Sequence, residues 1–472
     1  MQNNIQEDLK IFNELIEEFL KEEIKNPISD LISTTDLESK LDLSLTDKGM
    51  ITSDFKSELT KLILSTPKSS SKLFFNQLFG GRHSKAILGD LLAVILNTSM
   101  ATYKIAGPQV GVEKEILKKV CELIGYNGNS GGTFPTGGSM SNFMSLIMAR
   151  DKIAPSIKEK GGSQKLIAYS SENSHYSMAK NASFAGIGKE NVRYIKSNER
   201  GQINIFSFQK QVEQDLANGF LPFYLNATAG TTVLCAFDNV TDLSPICNQY
   251  NIWLHLDGAF GGSVIFSTKH KHLVEGISQT NSFCFNAHKT LGAPLSTSVL
   301  VVKNQEELYN SFNNEASYLY QTHDDEFNLG HTSFECGRRN NALKLWTIWK
   351  AIGTNGLAKI IDHEFSLAEF ALNYIKNNSD YTLYSFENSL AVCFNYKDFD
   401  PEDLCTKLYE KNKLMIGFGS FHNNTFIRLV TINGENSKQE ILNFFLILEG
   451  FVAKKSISLK RRKKQIISQI HE

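Results

Sequence analysis

The chain lacks a surplus of charge of either sign: 49 Lys and Arg stand against 50 Asp and Glu, a formal net charge of -1. A protein that binds nucleic acid by neutralising phosphates carries a basic excess, and a disordered charged tail carries a lopsided count, so neither class fits. Cysteine is sparse and scattered, at positions 121, 235, 247, 284, 336, 393 and 405, with no C-x-x-C pair. That pattern argues against a disulfide framework and against a structural zinc site. Long hydrophobic runs are missing too. The most apolar windows, 87–97 and 441–453, are too short for a bilayer and carry Asp90 and Glu449, and the start MQNNIQEDLK has no basic region before an apolar stretch. The expectation is a reduced, cytoplasmic protein with no nucleic-acid and no membrane partner. Nucleotide signatures are absent as well: there is no G-x-x-x-x-G-K-[ST], and Gly186-Ile-Gly188-Lys-Glu-Asn191 lacks a third glycine.

What remains is an ordinary globular composition, 41% hydrophobic over 472 residues, with length for about three domains. Ile5, Leu9, Phe12, Ile16, Phe19 and Ile24 recur at helical spacing between charged residues. This is an amphipathic helix in need of a partner surface, on its own domain or on a second subunit, and residues 1–100 are read as an N-terminal helical segment. From 101 to 355, short apolar runs alternate with helix-like stretches. Candidate strands are 166–169, 192–195, 221–226, 252–257, 282–285 and 298–302. Strands alternating with helices predict an α/β fold around a mostly parallel sheet, with ligands beyond the carboxyl ends of the strands. Residues 356–450 are read as a smaller α+β unit, with a helix near 357–376 and strands at 390–396 and 425–430. Residues 451–472 are read as a tail with a basic run at Lys460 to Lys464.

Residues that follow the candidate strands carry the chemistry. Gly137, Gly138 and Ser139 open a helical stretch, where backbone N–H groups and the helix dipole suit an anion, although such a turn alone is often a plain connector. Lys289 follows an apolar run in Asn286-Ala-His288-Lys289, a position where desolvation lowers an amine toward nucleophilic use. Asp257 ends another run in HLDGAF. Burying it is costly unless it meets a positive charge, which a protonated pyridine nitrogen provides. Ala259 is small enough to let a flat ring approach, and His175 can stack on the other ring face. Each has an ordinary alternative, as a surface lysine, a helix cap or an inert loop histidine. Together they describe one pyridoxal-phosphate site.

The sequence resembles the group II pyridoxal-phosphate decarboxylases, in the glutamate, cysteine-sulfinate and aspartate branch, over about residues 70–449. The stretches that carry it are FFNQLFGG (74–81), TGGSMSNFMSLIMAR (136–150), SENSHYS (171–177), PFYLNATAGTTVLCAFD (222–238), IWLHLDGAFGGS (252–263), NAHK (286–289), ASYLYQ (316–321) and CGRRNNALKLWTIWKAIG (336–353). The resemblance implies a fold type I enzyme that works as a homodimer with shared active sites. It implies that Lys289 holds the cofactor covalently, Asp257 pairs with the ring nitrogen, and His175 and Ala259 flank the ring. Thr228 would line the pocket, and Gly138, Ser139 and Asn286 would hold the phosphate beside His288. Tyr318 matches a loop tyrosine that donates the final proton. Arg338 matches the arginine that grips the substrate's side-chain acid, with Asn76 and Gln77 nearby. A guanidinium fits a carboxylate or sulfinate, so the expected substrate is aspartate, cysteine sulfinate or glutamate. The alternatives are an aromatic or neutral amino-acid decarboxylase, or a cofactor-binding paralogue without turnover. Gly258, Phe260 and Ala287 stand where many relatives have Ala, Trp and Pro.

Overall fold

The computed structural model describes residues 4–26, 28, 32–76, 78–162, 165–313, 316, 319–320, 325–411 and 413–470, with side chains through Lys454. Seven strands form the main sheet: β1 (Gly131–Thr133), β2 (Leu166–Ser171), β3 (Val192–Ile195), β4 (Leu221–Thr228), β5 (Trp253–Gly258), β6 (Ser282–Asn286) and β7 (Ser298–Val302). Their order is β1-β7-β6-β5-β4-β2-β3. The run from β3 to β6 is parallel, and β7 pairs antiparallel with both β6 and β1.

The strands are legible because they are buried on both faces, which makes them near-continuous apolar runs. Alternate side chains feed two cores. Tyr169, Leu225, Leu254, Leu256, Phe283 and Val301 pack on one face, and Ala168, Tyr224, Trp253, Cys284, Leu300 and Val302 on the other. All six strands expected between 166 and 302 are present, four of them one or two residues longer toward their carboxyl ends. The extra residues of β4, β5 and β6 include Thr228, Gly258 and Asn286, so the sheet itself carries them to one edge.

A second, antiparallel sheet has the order β10-β11-β9-β8, from β8 (Tyr381–Leu383), β9 (Ala391–Tyr396), β10 (Gly417–Phe421) and β11 (Asn424–Val430). Residues 73–75 join it, since Phe75 N donates to Met415 O at 2.7 Å and Phe75 packs in that sheet's core. Strands β1, β8 and β10 escape sequence reading because they are short or glycine-rich, with too little apolar alternation to register. The helix expected near 357–376 starts earlier, at Ala342, and Gly353 breaks its conformation at φ 67°. The boundary expected at 450 falls inside one continuous helix, Lys438–Ile470, whose last turns bear the basic run. The N-terminal helix, Ile5–Lys25, buries only Leu15 and leaves Ile5, Leu9, Phe12, Ile16, Leu20 and Ile24 exposed. Among the described residues no helix is long and apolar enough to cross a membrane, and no cluster of His, Cys, Asp or Glu is arranged to hold a metal ion.

The FFNQLFGG stretch ends against the turn after β6. A Cβ on Gly80 would lie 2.2 Å from the Lys289 carbonyl oxygen and 3.0 Å from that of Ile432, both backbone atoms that cannot swing aside. Gly80→Ala is therefore expected to cost about 1–3 kcal/mol, read as a lower thermal unfolding midpoint. An unchanged midpoint would contradict this close packing.

Candidate active site

The carboxyl ends of β4, β5 and β6 and the start of the helix Gly138–Ile153 enclose a cavity of about 230 Å³. Gly138, Ser139, His175, Thr228, Asp257, Ala259, Asn286, His288 and Lys289, all singled out in the sequence, line it together. The parallel sheet is the reason. Each residue ends a strand, or follows one, on the same edge.

Asp257 is 4% exposed, at the end of β5. Its Oδ2 accepts a hydrogen bond from Asn142 Nδ2 at 2.7 Å, and its Oδ1 accepts from the Ala259 backbone N at 3.0 Å. A carboxylate so placed is supported by donors and faces a cavity where a cation can meet it. Lys289 lies in the helical turn Ala287–Thr290 that follows β6. Burial lowers its ammonium pKa, the Asp257 charge works against that, and the Arg428 charge adds to it. More of the amine is then uncharged and nucleophilic at neutral pH.

Both histidines of the cavity are held neutral, chiefly by burial. His288 is pushed down to about 4, and its Nδ1 lies within hydrogen-bond distance of both the backbone N and the carbonyl of Thr297, at 3.0 and 3.1 Å. His175 is also lowered, and its Nδ1 accepts from Ser177 N at 3.3 Å. A flat, uncharged imidazole suits stacking on an aromatic ring.

Two observations test whether a phosphorylated pyridine fits. Thr228 Oγ1 and Asn286 Oδ1 are buried without a hydrogen-bond partner among the described residues, as expected of groups that wait for a ligand. A Cβ on Gly138 would lie 2.8 Å from Ala259 Cβ and 3.1 Å from Asn286 Nδ2, so only glycine leaves the helix start open as an anion cradle. The residues fit. Gly258 has no room for a side chain, because a Cβ would sit 2.6 Å from the Cys284 carbonyl oxygen and from Phe283 Cε2. Phe260 lines the cavity, and Ala287 is buried at the start of the lysine turn.

Other sequence expectations are not gathered at this cavity. Arg338 is 3% exposed and spends its charge on Glu113, with Nη1 2.7 Å from Oε2, beside a separate depression near Asn97 and Ser99. Within this chain it is one half of a buried ion pair, and it does not line the cavity that holds Asp257 and Lys289. Asn76 packs against Gly417 and lines a different hollow beside the second sheet. Gln77 and Tyr318 lie outside the described residues. Asn142, His255 and Arg428 went unnoticed in the sequence. Asn142 stands one helical turn after Gly138, and His255 precedes Asp257 by two on the same strand, so spacing alone would have placed both beside the site. Arg428 is a charge inside the otherwise apolar β11 stretch TFIRLV. Its Nη1 donates to the carbonyl of Thr232, a cavity-lining residue, at 2.5 Å.

The Pyridoxal-dependent decarboxylase conserved domain matches residues 35–397, well over half of the chain. The chain belongs to this family. Human acidic amino acid decarboxylase GADL1 is 34% identical over 429 residues, covering 86% of this chain and 82% of that protein. Mouse cysteine sulfinic acid decarboxylase is 36% identical over 365 residues, covering 76% and 74%. A crystal structure of mouse CSAD superposes with a TM-score of 0.87 at 30% identity, covering 93% of this chain and 98% of that one. Oryza sativa TDC with PLP and tryptamine, at 20% identity and a TM-score of 0.90 over 96% and 99%, shares the fold. The chain is thus a fold type I, pyridoxal-phosphate-dependent amino-acid decarboxylase.

The decarboxylase's Arg338 and Glu113 side chains are 2% and 1% exposed, so removal of one partner strands the other charge in the core. Arg338→Met is expected to cost about 3–5 kcal/mol of stability, measured by denaturant unfolding. Normal stability combined with a selective rise in KM would instead return Arg338 to substrate binding.

Proposed function

We propose that this enzyme removes the α-carboxylate from a small acidic L-amino acid, aspartate, cysteine sulfinate or glutamate, to give carbon dioxide and the corresponding amine, such as β-alanine, hypotaurine or GABA. The observation that carries the substrate class is Arg428. The residue is 9% exposed, its guanidinium bonds to the wall of the cofactor cavity through Thr232, and it keeps a buried Nε without a hydrogen-bond partner among the described residues. An acidic side chain gives that charge a bidentate partner. An aromatic or neutral one leaves it unpaired in the protein, a costly outcome. The activities for which acidic amino acid decarboxylase GADL1 and cysteine sulfinic acid decarboxylase are named, both related over most of the chain, support the same class.

In this reading each side chain has a distinct task. Lys289, its ammonium pKa lowered by burial, would hold the cofactor's aldehyde. Asp257 holds a proton at the ring nitrogen, and the helix start at Gly138 and Ser139, with Asn286 and His288, binds the phosphate. Bound pyridoxal phosphate supplies the electron sink for the bond that breaks. His175 and Ala259 fix the ring plane, so the scissile carboxylate can be held across it. Tyr318, by the resemblance of its ASYLYQ stretch, delivers a proton to the α-carbon after carbon dioxide leaves.

We also propose a cytoplasmic homodimer with shared active sites. Seven unpaired cysteines suit a reducing compartment. The helix Ser84–Leu96 exposes Leu88, Leu91, Leu92, Val94, Ile95 and Leu96, and with the bare face of Ile5–Lys25 it supports a second copy as the cover.

Arg428→Met is expected to lower kcat/KM for the acidic substrate about 10- to 100-fold, the loss of one hydrogen-bonded charge pair. A panel of amino acids assayed for carbon dioxide release by the unmodified enzyme checks the class. Release from tyrosine or tryptophan, with none from acidic amino acids, would overturn it.

A further inference from the structure

Behind Asp257 lies a buried polar chain that the roles above leave unused. Asn142 Nδ2 donates to Asp257 Oδ2 at 2.7 Å, and Asn142 Oδ1 lies 3.1 Å from His255 Nε2. His255 Nδ1 lies 2.8 Å from Ser282 Oγ, which in turn accepts from Trp253 Nε1 at 2.9 Å. Ser145 Oγ is 2.8 Å from the same hydroxyl. Asn142, Ser145, His255 and Ser282 are at most 1% exposed, in a core otherwise made of aromatic and aliphatic side chains.

The directions of these bonds follow from one fixed end. A carboxylate can only accept, so the amide of Asn142 turns its NH2 to Asp257 and its oxygen to His255. His255 then carries its proton on Nε2. Burial pushes this imidazole down to about 4, so at neutral pH its Nδ1 is bare and accepts from the Ser282 hydroxyl. The Ser282 oxygen is left to accept from Trp253 and Ser145. Every donor in the series points toward Asp257, and no other arrangement satisfies all of them.

We infer that His255, acting through Asn142, is a positioning residue that locks Asp257 as an acceptor for the ring nitrogen of the cofactor. The inference rests on the reading that Asp257 pairs with that nitrogen. Without the His255 donor, the buried Asn142 oxygen keeps only the long thiol contact from Cys284, and the amide is held by Asp257 alone. An amide that turns toward another donor withdraws its hydrogen bond from the carboxylate, which weakens the ring-nitrogen contact. Lys289, His175, the Ala259 amide and the Cys284 thiol are the other polar groups around Asp257, and of these the thiol alone reaches the Asn142 amide oxygen, as a weak donor at 3.6 Å.

A double-mutant cycle in reconstituted holoenzyme tests this, with cofactor affinity and the absorption spectrum of the bound cofactor as readouts. His255→Phe and Asn142→Ser are each expected to weaken cofactor affinity about 10- to 100-fold, with a double variant no weaker than the worse single one. His255→Gln, whose NH2 can donate to Asn142, is expected to regain most of the affinity and the parental spectrum. In an Asp257→Asn background, His255→Phe should add less than about a twofold loss. An equal loss in both backgrounds would mean that His255 merely packs the core, and would overturn the inference. If His255→Phe fails to fold, Asn142→Ser with and without Asp257→Asn reads the same coupling. Asp257→Asn protein with unchanged affinity and spectrum would instead overturn the ring-nitrogen reading, and the relay with it.

Discussion

A carboxylate buried at the end of a central parallel strand is the constraint on which the rest of the site depends. A carboxylate buried in that place needs hydrogen-bond donors, and Asn142 and the Ala259 amide supply them. The same strand positions its neighbours. Thr228 is its register partner on β4, and Cys284 is its partner on β6, whose next residues lead to Asn286 and Lys289. Cofactor pairing, the neutral histidines and the lysine all stand in fixed relation to this one charge because the sheet cannot deform without breaking its ladders.

Charge balance takes on a sharper meaning beside this geometry. A chain with a net charge of -1 has no global field to draw acidic substrates, so recognition must be local. The local cations are Lys289 and Arg428, each depressed in pKa mainly by burial. Arg338, by contrast, is already neutralised by Glu113 and has no charge to offer a ligand on this cavity.

Much of this was legible in the sequence. Asp257, Thr228, Asn286 and Lys289 follow apolar runs that are strands because both sheet faces are buried, and Gly138 and Ser139 stand where helical periodicity begins. What the sequence hides has physical causes. Arg338 shows no partner within its motif, and the Glu113 it pairs with is 225 residues away. Arg428 was hidden because β11 reads as an ordinary apolar strand, and its closeness to Thr232 arises only when the second sheet docks. Asn142 and His255 were skipped as unremarkable polar residues, since hydrogen-bond direction is a property of three dimensions.

Borohydride reduction of the holoenzyme, followed by peptide mapping, tests most directly whether this cavity is where the cofactor is held. The cofactor label is expected on the peptide that contains Lys289. Lys344 is the natural competitor, a lysine only 1% exposed with a lowered pKa, tied to Leu295 O and close to Asp90. Label on Lys344, or on any lysine other than Lys289, would contradict the assignment of the site.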